Sequence, residues 1–278
     1  MDFPAQIDYL VVGHVCRDLT PNGPTIGGTA AYSAATAKTL GCRTAVVTSY
    51  ADSDNMHSSL PDVTVRNVPA AATTTFENTY GPDGRVQSIH AVAGVIGVED
   101  IPQAWQRAKI AHIGPVANEV NPQVVGLFSN SLVGLTPQGW MRRWKDNGQV
   151  FARPWDEAGE FLPLAAATFI SDEDLVAPSM LKDFRSFSKV LVMTQGPAGS
   201  IVYFGEEVRN IPAPKVRAVD TTGAGDIYAT AFLVRLHQTA GDPWEAARFA
   251  NEIAAQSVTV SGLSNKMQVL QEYVARGD

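Results

Sequence analysis

Val219-Asp220-Thr221-Thr222-Gly223-Ala224-Gly225-Asp226 is the stretch on which the reading of this chain turns. Upstream, Ser200 to Phe204 and Val208 to Val219 read as extended, punctuated by Pro212 and Pro214. Downstream, Ala229, Phe232, Leu233 and Leu236 recur at the spacing of one buried helix face. A glycine-bearing loop therefore feeds the first turn of a helix. Gly223 and Gly225 let successive N–H groups face one concavity with no side chain in the way. The positive end of the helix adds to that field, so an anion is the natural occupant. Asp226 is odd in a plain phosphate cradle, because it repels what the amides attract. The pairing makes sense if the carboxylate takes a proton from a hydroxyl while the amides hold the negative charge that develops. A simpler reading stands beside it: Asp is a favoured helix cap, and glycine loops are common.

Composition bounds the rest. The chain has 278 residues, 45% hydrophobic and 18% charged, enough for one domain with an ample core. Its formal net charge of −7 and its lack of a basic run argue against nucleic-acid and membrane-surface partners. There is no run of ~18 apolar residues to span a bilayer. The N-terminus lacks a basic region before an apolar stretch, so no signal peptide is expected. Cys16 and Cys42 both lie in apolar segments and read as small buried hydrophobes. Two cysteines make no disulfide framework, and the expected location is cytoplasmic.

Along the chain, Ile7 to Val12 reads as a buried strand ending at Gly13, with Asp18 in the loop beyond. Asp18 is either a solvated loop acid or part of a site at a strand's carboxyl end. Gly27-Gly28 precedes an Ala-rich helical stretch, Thr29 to Leu40, ended by Gly41. That pair is either ordinary loop chemistry or a place where a ligand approaches the backbone. Ala45 to Ser49, Ile110 to Ile113, Val133 to Leu135, Ala167 to Ile170 and Val190 to Thr194 read as further strands. Pro243 to Gln256 reads as a helix, and Lys266 to Arg276 as a surface helix. From Val63 to His90 β-branched residues dominate, with Gly81-Pro82-Asp83-Gly84 between the last two runs, a hairpin signal. The expected fold is α/β: a mainly parallel central sheet with helices on both faces, plus a small β lid at about 63–92, all in one domain over 1–278.

Asp220 to Asp226 is similar to the D-T-T-G-A-G-D signature of the ribokinase-like (PfkB) carbohydrate kinases, matched at every position. The resemblance implies that Asp226 is the catalytic base and that Gly223, Ala224 and Gly225 form the anion hole for the transferred phosphoryl group. It implies that Asp18 binds substrate hydroxyls and that Gly27 and Gly28 belong to the substrate site. Where ribokinases have Asn four residues after the second Gly, this chain has Tyr32. Gly13 to Asp18 with Gly27 to Tyr32 looks closer to the myo-inositol kinase branch. Thr194, Gly196 and Gly199 match T-x-G-x-x-G, which flanks the nucleotide's phosphates and ribose, without the family's frequent Lys after the first Gly. Thr222 counts with these nucleotide-binding residues. Ala250-Asn251 through Gly262 matches the family's adenine-pocket wall, where Asn251 and Gly262 carry the functional weight. Ser171 and Asp174 stand where the family has N-x-x-E organising waters around Mg²⁺. Ser171 reads better as a helix cap, and Asp174 stays open to a water-mediated metal. Arg153 has two equal readings, a substrate-oxygen ligand or an exposed loop cation. Many relatives also bind a monovalent cation on the loops near Asp220 and after Asn251.

The implied activity is transfer of the ATP γ-phosphoryl group, with Mg²⁺, to a hydroxyl of a small sugar or cyclitol. A nucleoside or vitamin kinase on the same scaffold is a second expectation, with Tyr32, Phe76 and Tyr80 available for stacking. A nucleotide-binding protein without turnover is a third, supported by the altered Ser171–Asp174 stretch. Glu77, Asn78 and Arg85 are polar enough to touch a polyol. Exposed lid strands could pair into a homodimer. There is no G-x-x-x-x-G-K-[ST] loop, which excludes a P-loop kinase at the motif level.

Overall fold

The structure, a computed structural model, describes residues 6–81 and 84–277, and of Tyr80 and Arg85 the backbone alone. The apolar runs form short strands. In chain order these are β1 (Tyr9–Val12), β2 (Cys16–Thr20), β3 (Gly23–Gly27), β4 (Thr44–Tyr50), β5 (Thr64–Pro69), β6 (Thr75–Gly81), β7 (Gly84–Ala91) and β8 (Ile110–Ile113). They continue with β9 (Leu132–Leu135), β10 (Arg142–Trp144), β11 (Val150–Ala152), β12 (Ala167–Ser171), β13 (Val190–Thr194), β14 (Ser200–Phe204) and β15 (Glu207–Ile211). The helices are α1 (Thr29–Thr39), α2 (Ala158–Phe161), α3 (Pro178–Phe187), α4 (Ala224–Gln238), α5 (Pro243–Ser257) and α6 (Leu263–Ala275).

Nine strands form the main sheet in the order β15-β14-β13-β12-β9-β8-β1-β4-β5. Neighbours from β13 to β5 run parallel, and β14 and β15 add an antiparallel edge. The sequence of β1 shows why the sheet is covered twice. Tyr9 and Val11 pack into one core with residues of α1, α4, α5 and α6; Leu10 and Val12 pack into the other with Trp105, Trp140 and Phe184. Successive side chains of a strand point to opposite faces, so burial on both faces demands an unbroken apolar run. The expected α/β architecture is what the chain forms.

The small sheet has the order β3-β2-β6-β7. It differs from the expected excursion at about 63–92 in two ways. β5 pairs in parallel with β4 and belongs to the main sheet. The β2–β3 hairpin, far upstream, joins the small sheet through β2–β6 pairing. A strand's own residues set its face pattern, while its partner is chosen by packing elsewhere; Val63 and Val65 pack against the main core. The β6–β7 hairpin forms as expected, and the Pro82-Asp83 turn lies outside the described residues. The short β10–β11 hairpin lies against the β7 edge, where Ile89 N–H donates to the Gly148 carbonyl at 2.8 Å.

Fully buried His14 links the root of the small sheet to the main domain. Its Nε2 donates to the Gly94 carbonyl at 2.8 Å, and its Nδ1 lies 2.7 Å from the Thr74 hydroxyl. A carbonyl only accepts, which makes Nε2 the donor and, in the neutral ring, Nδ1 the acceptor. The last helix departs from the expected surface helix: Leu263, Lys266 and Leu270 are all buried on its inner side. No helix among the described residues is long and apolar enough to cross a membrane.

His112 of β8 is also fully buried, with Nδ1 2.9 Å from the Tyr9 hydroxyl and Nε2 3.1 Å from that of Thr136. Burial pulls its pKa down from 6.5 to about 3. Below the unfolded value the unfolded chain gains a proton that the native state refuses until about 3. Stability from this site is therefore lost progressively as pH falls through that window. His112→Gln should show a shallower loss of unfolding free energy than wild type across the weakly acidic range, measured by urea denaturation. Equal slopes for the two proteins would remove His112 from this role.

Candidate active site

The carboxyl ends of β1, β8, β9, β12 and β13 open on one rim, and the segment before α4 lies on the same rim. Open α/β sheets build their sites there. The Asp220–Asp226 segment begins with an Asx-type turn: Asp220 Oδ1 accepts from Thr222 N–H at 2.9 Å. Ala224 N–H then donates to the Thr221 carbonyl at 3.1 Å. Gly223 takes φ +74° and is the N-cap of α4, with no side-chain cap. Asp226 sits in the first turn of the helix, so the capping alternative for its carboxylate falls away. The N–H groups of Gly223, Gly225 and Asp226 have no partner among the described residues, while that of Ala224 is engaged internally. A Cβ on Gly225 would meet nothing within 4 Å, so the space over these amides is open. A Cβ on Gly223 would fall 2.2 Å from Cδ1 of Tyr32. Tyr32 is buried beneath the loop and shapes it from below.

The Asp226 carboxylate is part-buried and lies close to the hydroxyl of Thr29, the first residue of α1. Burial, aided by the nearby charge of Asp18, pushes its pKa up to about 6 against the pull of Thr29 and Arg142. A carboxylate tuned close to neutrality is suited to exchange a proton with a hydroxyl. Asp18, on β2, lies over Gly27: a Cβ there would be 2.2 Å from Oδ2. Gly28, at φ +86°, is the N-cap of α1 and also lacks a side-chain cap. Asp18, Gly27, Gly28, Gly223, Gly225 and Asp226 thus come together.

Arg153 stands differently. Its Nε donates to the Trp140 carbonyl at 3.1 Å and its N–H to that of Met141 at 2.8 Å, bracing the foot of the β10–β11 hairpin. The cation that acts on Asp226 is Arg142, whose guanidinium lies 5.7 Å from the Phe76 ring centroid and donates to the Val116 carbonyl at 3.0 Å. Arg142 and Thr29 are the site residues that sequence reasoning missed. For Thr29 a signal existed, a hydroxyl at the first helical position after Gly27-Gly28. For Arg142 there was none. Phe76, like Tyr32, is buried.

The remaining residues lie along the rim towards the antiparallel edge. The Thr194 hydroxyl donates to the Ile170 carbonyl at 3.3 Å. Gly196, at φ +52°, is exposed with open space where a side chain would be. Gly199 is buried, and a Cβ there would fall 2.2 Å from the Ile211 carbonyl oxygen, so its glycine serves strand packing. Thr222 is exposed at the cradle's entrance. Asn251 is buried, its Nδ2 donating to the Ile211 carbonyl at 2.9 Å and to Ser200 Oγ at 3.3 Å. Gly262, at φ +81°, is the N-cap of α6 and donates to Asp220 Oδ2 at 3.3 Å. Ser171 caps the turn that follows β12, accepting from Glu173 N–H at 3.2 Å; Asp174 completes the box by accepting from Ser171 N–H at 2.8 Å. Its other oxygen lies 3.3 Å from Gln138 Nε2.

The described residues hold no group of three or more His, Cys, Asp or Glu placed to bind a metal. Asp174 offers one carboxylate on the rim, a donor that suits a hydrated Mg²⁺ carried mainly by phosphate oxygens and water. A cleft of about 510 Å³ lined by His90, Trp144, Lys145 and Asn147 lies between β7 and the β10–β11 hairpin, and none of the residues named from the motifs lines it.

The fold is ribokinase-like, and an open amide cradle lies on its rim beside a part-buried carboxylate. The model of the pfkB family carbohydrate kinases matches residues 159–270. That match takes in the cradle segment, α4 and α5, and with the kinase-named relatives it supports a phosphotransferase. It is 24% identical to the cytidine kinase of Thermococcus kodakarensis over 250 residues, 82% of this chain and 88% of that protein. The sulfate complex of a pyrophosphate-dependent kinase in the ribokinase family superposes with a TM-score of 0.79 at 22% identity, covering 91% of this chain and 96% of that one. A pyrophosphate-dependent kinase of that family complexed with a pyrophosphate analog and myo-inositol gives 0.78 at 22% identity and the same coverage.

Proposed function

We propose that this protein transfers the terminal phosphoryl group of ATP to a hydroxyl of a small sugar or cyclitol. The single observation that carries the reading is the set of unpartnered amides at Gly223, Gly225 and Asp226 beside the Asp226 carboxylate. In this reading Asp226 accepts the hydroxyl proton, and the amides hold the charge on the transferring group. Asp18 and the Gly27-Gly28 backbone orient the acceptor, and Arg142 keeps the site's acids from repelling an anionic donor. Mg²⁺, bound with the donor, neutralises phosphate charge; Asp174 is the carboxylate on the rim that would order its waters. The small sheet excludes water from the reacting group.

A second reading concerns the donor. Asn251 spends its amide on Ile211 and Ser200, and no lysine follows Gly196. These features take polar groups away from a nucleoside pocket and favour pyrophosphate, the donor named for two of the similar structures. An assay crossing ATP and pyrophosphate with myo-inositol, hexoses, ribose and cytidine, read as phosphorylated product, separates the possibilities. Turnover with a polyol or hexose is expected. Turnover with cytidine alone would replace the acceptor assignment. Donor binding with no turnover on any acceptor would leave a binding protein.

A further inference from the structure

Lys266 alone among the described lysines and arginines is fully enclosed, on the inner side of α6. A buried ammonium is costly unless its donors are satisfied. Nζ donates to the Asp220 carbonyl at 2.5 Å and to the Ser257 carbonyl at 3.1 Å, and lies 3.7 Å from Asp220 Oδ2. These oxygens come from two separate segments, the one that opens the cradle and the one that ends α5. Backbone bonds join the same segments: Val219 and Asp220 N–H both donate to the Val258 carbonyl, at 2.7 and 3.2 Å. Asp220 completes the junction, its Oδ2 accepting from the Ser261 hydroxyl at 3.2 Å and Gly262 N–H at 3.3 Å.

Carbonyl oxygens converging from two loops, with a carboxylate beside them, form the kind of oxygen cage that holds a bare monovalent cation. Here the positive charge is already covalently in place. A separate monovalent cation, expected from the family resemblance, does not fit between the Asp220 and Ser257 carbonyls while Lys266 occupies that position. We propose that Lys266 is the resident cation of the cradle, a positioning residue that binds the Asp220 and Ser257 carbonyls together and so fixes the turn whose amides receive the anion. The proposal rests on reading the Gly223–Asp226 amides as an anion cradle. Without the ammonium, two carbonyl dipoles and a carboxylate face one another unscreened, and the turn starting at Asp220 loses its anchor.

The test titrates pyrophosphate and ATP by calorimetry at constant ionic strength, in tetramethylammonium chloride or in potassium or ammonium chloride. Wild type should bind with the same affinity in all three salts. Lys266→Met keeps most of the stem but removes the charge. It should bind about tenfold or more weakly in tetramethylammonium, the scale of one charged hydrogen bond. Potassium or ammonium should recover most of that loss, and should raise the variant's Tm but not the wild type's. A purely structural role would not give rescue selective for small cations. The proposal is overturned if potassium tightens wild-type binding, if Lys266→Met binds as wild type in every salt, or if no small cation restores it. Should the variant not fold, the wild-type salt comparison decides. Should wild type bind neither anion, the cradle reading fails on its own, and the Tm comparison still decides the place of Lys266.

Discussion

Asp226→Asn should fold as wild type and lower kcat by about two orders of magnitude or more, the scale on which a general base acts. Asn keeps the size of the side chain and can still meet the Thr29 hydroxyl, so circular dichroism and Tm should change little. The same carboxylate sets a pH dependence. Its pKa of about 6 means that the base is protonated, and idle, below that value. In wild type kcat/KM should rise with pH through a midpoint near 6. The Asp18 charge raises that pKa. Asp18→Asn should therefore shift the midpoint downward, apart from any effect on acceptor affinity. Near wild-type turnover in purified Asp226→Asn would remove Asp226 from the role of base.

Gly223→Ala should damage both the cradle and the fold. The position has φ +74°, where an L-residue costs about 1 kcal/mol or more. The added methyl would sit inside the Tyr32 ring, 2.2 Å from Cδ1. Either the ring or the turn has to move, and moving the turn misaims the amides. Loss of one such donor costs about 100-fold in kcat, and strain of this kind about 1–3 kcal/mol in stability. The clash should show as coupling: Tyr32→Ala should cost less stability in Gly223→Ala than in wild type, because there it also removes the clash, and it should restore little of the activity, because φ is still wrong. Wild-type kcat and Tm in Gly223→Ala would show that the close contact carries no weight.

What the sequence made legible, and what it did not, follows from range. The cradle was readable because its parts are contiguous: the glycines, the helix start and the acid lie within Asp220–Asp226. The main sheet was readable because burial on both faces leaves unbroken apolar runs such as Val190–Thr194. The pairing of β2 with β6 was not, since a short strand carries no label for its partner. Arg142 and Thr29 reach Asp226 across long stretches of chain, with no local pattern to mark them. Lys266 misled for a general reason: a lone lysine on a helix is almost always at the surface. Asn251 lies in a motif that resembles a pocket wall, and its amide pins the end of β15, a contact that no local pattern marks.

Asp18 rides on the small sheet, whereas Asp226 is anchored to the main one. A swing of the small sheet away from the rim would carry off a negative neighbour and let solvent reach Asp226. Both changes make the acid easier to ionise and a poorer proton acceptor. Were the small sheet to serve as a cover in the proposed reaction, the carboxylate would hold a proton best with it shut, and a stray water in the open cleft would meet a weaker base.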